Sequence, residues 1–122
     1  MAQGIEVNVH PSERLIALSL AGVLTKAFLW EVMAELSATE GADPNFNLLF
    51  DGTELEIGSD LDISDLARFE AEIPTHREKL AIVARGDHNF GIGNMYKRLC
   101  GDENPREIQV FRDAGEARRW LT

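Results

Sequence analysis

The chain has 122 residues, of which 44% are apolar and 27% are charged, and its formal net charge is −9. This length fits a single domain over residues 1–122 with one hydrophobic core. The excess of carboxylates argues against general nucleic-acid binding, which needs basic side chains facing phosphates, and against docking on anionic membranes.

The N-terminal residues predict a β-hairpin. Ile5, Val7 and Val9 alternate with polar residues, as they do in a half-buried strand. Turn-forming residues over 10–14 lead to a second apolar strand over 15–20, which Gly22 is expected to end.

A helix is predicted directly after the hairpin. Thr25 is its expected N-cap, because a threonine hydroxyl can accept a hydrogen bond from a free N–H of the first turn. Apolar residues then recur at the i, i+3, i+4, i+7 spacing of a buried helix face. These residues are Leu29, Val32, Met33 and Leu36.

The middle of the chain predicts a short strand and a second helix. The apolar run Leu48-Leu49-Phe50, which ends at Asp51, is typical of a strand covered on both faces. An acidic connection follows. The second helix is expected from about Ser64, with Leu66, Phe69 and Ile73 on its apolar face.

The last third repeats the strand–helix alternation. Residues 80–84 form an apolar strand, and Asp87 is the expected cap of a third helix that buries Ile92, Met95, Tyr96 and Leu99. A fifth strand is expected over 108–111. Asp113 and Glu116 have the spacing of a capping box at the start of a fourth helix. The apolar residues of that helix are Ala117, Trp120 and Leu121.

The element order is therefore β-β-α-β-α-β-α-β-α, which predicts an α/β fold. Strands that alternate with helices imply right-handed crossovers and parallel pairing, while the first hairpin adds one antiparallel strand. We expect a layer fold with a mixed, mostly parallel five-stranded sheet and four helices.

Several short motifs resemble those of the SpoIIAA-like group, which includes the STAS domains of anti-anti-sigma factors and transporter tails. The likeness covers nearly the whole chain and is closest to small stand-alone bacterial proteins of this fold without an assigned activity. The motifs are His10–Ile16 with Gly22–Thr25, Leu48–Asp51, Ala81–Ala84, Phe90-Gly91 with Met95-Tyr96, and Val110–Asp113 with Ala117 and Trp120-Leu121.

One motif of the resembled family is missing. Anti-anti-sigma factors carry an Asp-Ser-Ser-Gly-like phosphorylation site at the start of the second helix, where this chain has Ile57-Gly58-Ser59-Asp60-Leu61-Asp62-Ile63-Ser64-Asp65. Aspartates around a serine disfavour an added phosphate. The sequence therefore argues against a phosphorylation switch.

No catalytic group, cofactor site or metal site is predicted. The acidic residues over 51–65 fail the calcium-loop pattern, because Asp65 and Ala71 stand where that loop needs Gly and Glu. Residues 86–93 lie where a phosphate-binding loop would, but lack its Lys and its Ser or Thr. The three histidines have no ligand spacing, and the lone Cys100 has no partner cysteine.

Two functions outside catalysis remain. The first is a non-catalytic bacterial interaction or regulatory module that binds another protein or a second copy of itself in a homodimer. Its apolar anchors are expected at Phe28 and Trp30, and its acidic surface at Asp60, Asp62 and Asp65. The alternative is a small-molecule or lipid carrier with an apolar pocket under the third helix. Its predicted lining is Phe90, Gly91, Met95 and Tyr96.

The sequence also indicates where the protein works. Residues 1–10 have no basic segment followed by an apolar run, so we expect no signal peptide. No apolar stretch approaches the roughly 20 residues that cross a bilayer. We therefore expect a cytoplasmic protein without membrane insertion.

Overall fold

Five strands and three α-helices make up the part of the chain that the computed structural model describes, which is residues 4–43, 45–62, 64–65, 79–101 and 107–122. A 3-10 turn, Pro11–Glu13, connects the first two strands. The strands are β1 (Gly4–His10), β2 (Leu15–Leu24), β3 (Asn47–Ile57), β4 (Lys79–Ala84) and β5 (Glu107–Phe111). The helices are α1 (Lys26–Ala38), α2 (Asp87–Gly101) and α3 (Ala114–Leu121).

The strands form one mixed sheet in the order β1-β2-β3-β4-β5. β1 pairs with β2 in antiparallel fashion, which confirms the predicted hairpin. The other three pairs, β2 with β3, β3 with β4 and β4 with β5, are parallel. The sequence order is therefore also the spatial order across the sheet.

β2 and β3 are both longer than the sequence predicted. β2 passes through Gly22 and ends at Leu24, and β3 continues through the predicted acidic connection to Ile57. Between the pairs Ser19–Asp51 and Ala21–Glu54, β3 has two residues where β2 has one, which is a β-bulge in β3. The Asp51 carboxylate accepts hydrogen bonds from the Thr53 amide at 3.1 Å and the Thr53 hydroxyl at 2.8 Å, which stabilises this bulge.

The helix starts follow the predicted capping residues in two of three cases. The Thr25 hydroxyl accepts a hydrogen bond from the Phe28 amide at 3.1 Å, and the Asp113 carboxylate accepts one from the Glu116 amide at 3.1 Å. Asp87 is the first residue of α2 instead of its cap, because the Gly86 carbonyl already accepts the first helical bond, from Phe90.

The described residues hold three helices, whereas the sequence predicted four. The predicted second helix, with Leu66, Phe69 and Ile73, lies outside the described residues, apart from a helical start at Ser64 and Asp65. No helix among the described residues is long and apolar enough to cross a membrane.

α3 closes one face of the sheet. Leu15, Leu49, Ala81 and Val83 pack there against Ala117 and Leu121, and none of these six side chains is more than 6% exposed. α3 is held at its C-terminus, where the Lys79 ammonium donates to the Trp120 carbonyl at 3.2 Å and lies 5.0 Å from the Trp120 ring centre.

α1 and α2 lie on the opposite face. α1 packs over β1 and β2 through a cluster that includes Leu20, Phe28 and Val32. α2 packs over β4 and β5 through Tyr96 with Leu80 and Ile108, and Gly93 faces Val110 so closely that an added Cβ would lie 3.0 Å from a Val110 methyl. The two helices thus cover the two sides of this face, and the middle of the sheet lies between them.

Candidate functional site

A cavity of about 450 Å³ lies between α1 and α2, over the middle of the sheet. β2, β3 and β4 form its floor, and the two helices form its walls. The described residues that line it, through side-chain or backbone atoms, are almost all apolar. They are Ile16, Leu18, Leu24, Leu29, Val32, Met33, Leu36, Ser37, Ala42, Leu48, Phe50, Gly52, Leu55, Ile57, Leu80, Ile82, Val83, Ala84, Asn89, Ile92, Gly93 and Tyr96.

The floor consists of rows of side chains that run across the three strands. Alternate residues of a strand share one face, so parallel strands in register place equivalent residues side by side. The strand pairing gives two complete rows, followed by two shorter ones. The rows are Ile16–Leu48–Leu80, Leu18–Phe50–Ile82, Gly52–Ala84 and Leu24–Ile57.

The central floor residues are less buried than their position in the sheet would suggest. Leu48, Phe50 and Ile82 belong to interior strands, where side chains are ordinarily covered, yet all three are only half-buried. Their neighbours on the closed face, Leu49 and Val83, are 5% and 0% exposed. Large apolar surface in the middle of the sheet therefore faces the cavity.

The bulge in β3 determines which residues reach the far end of the cavity. Before the bulge the lining residues of β3 are Leu48, Phe50 and Gly52, and after it they are Leu55 and Ile57. The extra residue shifts the alternation by one position, so the apolar side chains stay on the cavity face while Glu54 and Glu56 are exposed.

The walls come from one flank of each helix. α1 contributes Leu29, Val32, Met33 and Leu36, the stripe that the sequence predicted as its buried face, together with Ser37. α2 contributes Asn89, Ile92, Gly93 and Tyr96, which recur at the helical spacing of three and four residues.

Few polar groups reach the cavity, and none of its described lining residues carries a charge. Ser37, Asn89 and Tyr96 are the polar side chains among them. The Asn89 amide donates to the Leu55 carbonyl at 3.0 Å, which ties the start of α2 to β3. The described lining can therefore bind apolar surface.

The predicted pocket residues on the third helix are corrected in part. Tyr96 lines the cavity, but Phe90, Gly91 and Met95 are not among its described lining residues, and Met95 is 55% exposed. The α2 residues that line the cavity share one face of the helix with Tyr96. The remaining faces of α2 carry Phe90, Gly91 and Met95.

Phe90 has a different neighbour. The Arg112 guanidinium lies 4.1 Å from the Phe90 ring centre and 2.9 Å from the Asp87 carboxylate, which places all three groups outside the cavity. Gly91 has no atom within 4 Å of the position a Cβ would take, so the close helix–sheet contact is made by Gly93.

The predicted partner surface around the first helix is wrong for one of its two aromatic residues. Phe28 is 1% exposed and packs in the core cluster between α1 and the sheet, so it cannot anchor a partner. Trp30 is 55% exposed, and its role as an anchor stays a prediction.

Two of the three predicted acidic surface residues have a local structural role. The Asp62 carboxylate accepts a hydrogen bond from the Asp65 amide at 3.0 Å, and the Asp65 carboxylate accepts one from the Asp62 amide at 3.1 Å. This reciprocal pair is a capping box at a helix start. Asp65 also lies 3.8 Å from the Lys26 ammonium, and Asp60 is exposed.

Titratable side chains do not converge in the described part of the chain. No group of three His, Cys, Asp or Glu residues in that part is placed to hold a metal ion. His88 and Asp87 are exposed at the start of α2, and His10 ends β1. His76 and the side chain of Cys100 lie outside the described part.

The cavity floor is the feature that sequence analysis missed. Ile16, Leu18, Leu80 and Ile82 were recognised as strand residues without a role in a site. Period-two alternation in the second and fourth strands could have identified them as residues of one shared face. Nothing in the sequence alone indicates that the central residues of this face stay half-buried beside the described helices.

Comparison with solved structures finds similar proteins, and in two of them the match covers nearly the whole length of both chains. An uncharacterized protein from the DUF3478 family with a SpoIIAA-like fold, from Shewanella loihica PV-4, has a TM-score of 0.70 and 22% identity over 100% of this chain and 97% of that chain. An anti-sigma factor antagonist from Mycobacterium paratuberculosis has a TM-score of 0.58 and 17% identity over 98% of this chain and 94% of that one.

Sequence comparison adds no further relative. No protein-family model matches the chain, and no curated protein matches it. The structural likeness nevertheless extends over the whole sheet and its helices, and it agrees with the motifs that the sequence shares with the resembled group. The chain therefore has a SpoIIAA-like fold.

Proposed function

We propose that the protein binds an apolar small molecule or lipid in the cavity between α1 and α2 and acts as a carrier. The observation that carries this proposal is the cavity of about 450 Å³ over half-buried Leu48, Phe50 and Ile82. Ligand pockets are typically concave, largely apolar and about 300–1,000 Å³ in volume. The cavity has these properties.

The driving force for binding is the burial of the floor. Removing apolar surface from water contributes about 25 cal/mol per Å². In the rows of the floor Leu48, Phe50 and Ile82 are the half-buried members, so a ligand that covers the floor buries side-chain surface of β3 and β4. A hydrocarbon chain or a flat ring system has the shape and the chemistry for this floor.

The second candidate is a non-catalytic protein-interaction or regulatory module, with another protein or a second copy as its partner. Trp30, 55% exposed on α1, is the observation that favours it, because aromatic side chains often dominate interfaces. One protein of the same fold is an anti-sigma factor antagonist. The missing phosphorylation motif means that such a module would need another form of control.

Native mass spectrometry of the protein isolated from its own host distinguishes the two candidates. A carrier is expected to retain a small molecule that denaturing conditions release. Ile82→Trp places a larger side chain on the cavity floor and should abolish retention. Phe111→Trp, on the closed face beside Trp120, is the matched control and should retain the ligand.

Each outcome has a clear meaning. Loss of the small molecule in the Ile82→Trp variant alone supports the carrier. A clean mass for the wild-type protein, together with a stoichiometric protein partner that Trp30→Ala loses, would contradict the carrier and support the module. Equal retention by both tryptophan variants would show that any bound molecule lies outside the cavity.

A further inference from the structure

We propose that the outer edge of β1 binds an extended basic segment of another protein, which pairs with β1 as an added strand. The proposal goes beyond the carrier function and does not depend on it, because the cavity lies on the other side of α1. It rests on the position of β1 in the sheet and on the carboxylates that lie on both sides of its edge.

β1 is an edge strand of the sheet that the described strands form, and β2 is its one partner in that sheet. Every second residue of such a strand directs its N–H and C=O groups away from the sheet. No hydrogen bond described outside the strand ladder involves the backbone of Gly4–His10. Backbone groups that can pair with another strand therefore line this edge.

The usual devices that block an edge are missing from β1. Proteins protect edge strands with proline, with lysine or with a bulge that twists the edge away. The sequence of β1, Gly-Ile-Glu-Val-Asn-Val-His, contains neither of these residues. Its register with β2 is continuous from the pair Gly4–Ala21 to the pair His10–Leu15. β1 thus presents a strand of regular geometry to a partner.

One flank of α1 lies beside this edge and carries two exposed carboxylates. Phe28 packs into the core under α1, and Met33 and Ser37, about 140° and 180° further around the helix, line the cavity. Glu35 and Glu31 lie about 20° and 60° from Phe28 in the opposite direction, and both are exposed. They therefore face away from the cavity, on the side of α1 where β1 ends the sheet.

A further carboxylate lies at the same edge on the other face of the sheet. Ile5 and Val7 pack against the core under α1. Alternation along the strand therefore places Glu6 and Asn8 on the opposite face, where both are exposed and the Asn8 amide donates to the Glu6 carboxylate at 3.2 Å. No described ion pair involves Glu6 or the two glutamates of the α1 flank. A strand added beside β1 would thus meet acidic groups on both of its faces.

These features fit an extended segment that is rich in arginine or lysine. Its backbone would continue the strand ladder, which is how exposed sheet edges bind peptides. Under α1, the apolar stems of its basic side chains can cover the apolar residues of β1 while their charged ends approach Glu31 and Glu35. The complementary charges then favour this class of partner over others and speed its encounter with the edge.

A second copy of this chain fits the edge less well. Two-fold pairing of β1 with itself would bring the two α1 flanks together, so that Glu31 and Glu35 of one copy face the same residues of the other. Like charges repel, and the repulsion grows as they leave water. Since each copy also carries a net charge of −9, the acidic flank favours a basic partner over self-association.

An NMR titration of the isotope-labelled full-length protein at low ionic strength tests the proposal. The probe is the heptapeptide acetyl-Thr-Arg-Thr-Arg-Thr-Arg-Thr-amide, which matches β1 in length and alternates strand-forming threonine with arginine. We expect the largest amide shifts in β1 and in the flank of α1 that carries Glu31 and Glu35. The same peptide with glutamine in place of arginine should bind at least about tenfold more weakly. Absence of shifts in β1 at millimolar arginine peptide would overturn the proposal.

Methylated peptides separate strand pairing from charge attraction. N-methylation of every threonine, or of every arginine, removes the N–H groups from one edge of the peptide and leaves its charge unchanged. One of the two methylated peptides should lose measurable binding, while the other keeps it. Binding of both methylated peptides as tight as that of the parent peptide would overturn the proposal, because backbone pairing would then be unnecessary.

Two double variants with the same change in net charge locate the acidic groups that meet the peptide. Glu31→Gln combined with Glu35→Gln should weaken binding of the arginine peptide by about threefold or more. Glu54→Gln combined with Glu56→Gln, at exposed positions of β3 away from the β1 edge, is the matched control and should leave binding unchanged. Equal weakening by the two double variants, or dimerisation of the wild-type protein through β1 in place of peptide binding, would overturn the proposal.

Discussion

Gly58 lies where β3 has just ended beside the end of β2. Its amide donates to the Leu24 carbonyl at 2.8 Å, and a Cβ at this position would lie 2.7 Å from the same carbonyl oxygen. The approach joins the strand ends that close one end of the cavity, because Leu24 and Ile57 both line it. Only a residue without a side chain fits here without moving backbone.

Gly58→Ala should therefore lower the free energy of unfolding by about 1–3 kcal/mol, the usual cost of overpacking. Gly91→Ala is the matched control, because no atom lies within 4 Å of its Cβ position. Alanine in a helix is favoured over glycine by about 0.5–1 kcal/mol, so this variant should be slightly more stable than the wild type. Urea unfolding measures both, and equal effects would contradict the close approach at Gly58.

The two glycines of α2 show how far sequence analysis reaches at the residue scale. A glycine inside a helix often indicates close packing at that position, yet the structure shows such packing for Gly93, against Val110, and not for Gly91. Both residues are glycines in an amphipathic helix, and the position of the sheet relative to that helix decides between them. That position depends on β5, which is distant in the chain.

Helix starts are the features that local sequence predicted best. Thr25 and Asp113 cap α1 and α3 through bonds to residues three positions later, as expected from spacing alone. The same geometry joins Asp62 and Asp65, which the sequence suggested as a partner surface. Neighbouring acidic residues therefore have different roles. Asp62 and Asp65 bond to each other, whereas none of the described hydrogen bonds involves Asp60.

Asp62→Ala should lower the free energy of unfolding by about 0.5–2 kcal/mol, because it leaves the Asp65 amide without its acceptor at the helix start. Asp62→Asn keeps an acceptor oxygen and should cost much less. Asp60→Ala, at an exposed site, should change stability by less than about 0.5 kcal/mol. A larger loss in Asp60→Ala than in Asp62→Ala, measured by chemical unfolding, would contradict the capping role.

β3 shows why strand ends were predicted less well than helix starts. The alternation of Leu55 and Ile57 with Glu54 and Glu56 was visible in the sequence, but it is out of step with Leu48 and Phe50. The bulge at Asp51 accounts for that shift, and it exists because β3 pairs with β2 on both sides of it. The pairing partner is about 30 residues away, so no local pattern reports it.

At the scale of the whole molecule, the described elements pack differently on the two faces of the sheet. Among the described elements, α3 covers one face so that the core side chains there are no more than 6% exposed, whereas the central side chains on the face under α1 and α2 are half-buried. Alternating strands and one-sided helices were enough to predict the layers. The space between the helices depends on how far apart they lie, and no sequence pattern encodes that distance, so the cavity was placed under the wrong face of one helix.

Leu48 and Leu49 are adjacent leucines that lie on opposite faces of the sheet. Substituting each in turn therefore compares the packing of the two faces. Leu49→Ala, on the closed face at 5% exposure, should lower the free energy of unfolding by about 2–5 kcal/mol, since it opens a void in a packed core. Leu48→Ala removes a half-buried side chain that already borders open space, so its cost without ligand should be clearly smaller.

The same two variants also test ligand binding. Saturating monolauroylglycerol, as a lipid probe, should raise the melting temperature of Leu49→Ala as much as it raises that of the wild type. It should raise the melting temperature of Leu48→Ala less, because only this variant lacks side-chain contacts to the ligand. Equal costs for the two alanine variants without ligand would show that the cavity face is packed as tightly as the closed face, and the carrier proposal would then lose its physical basis.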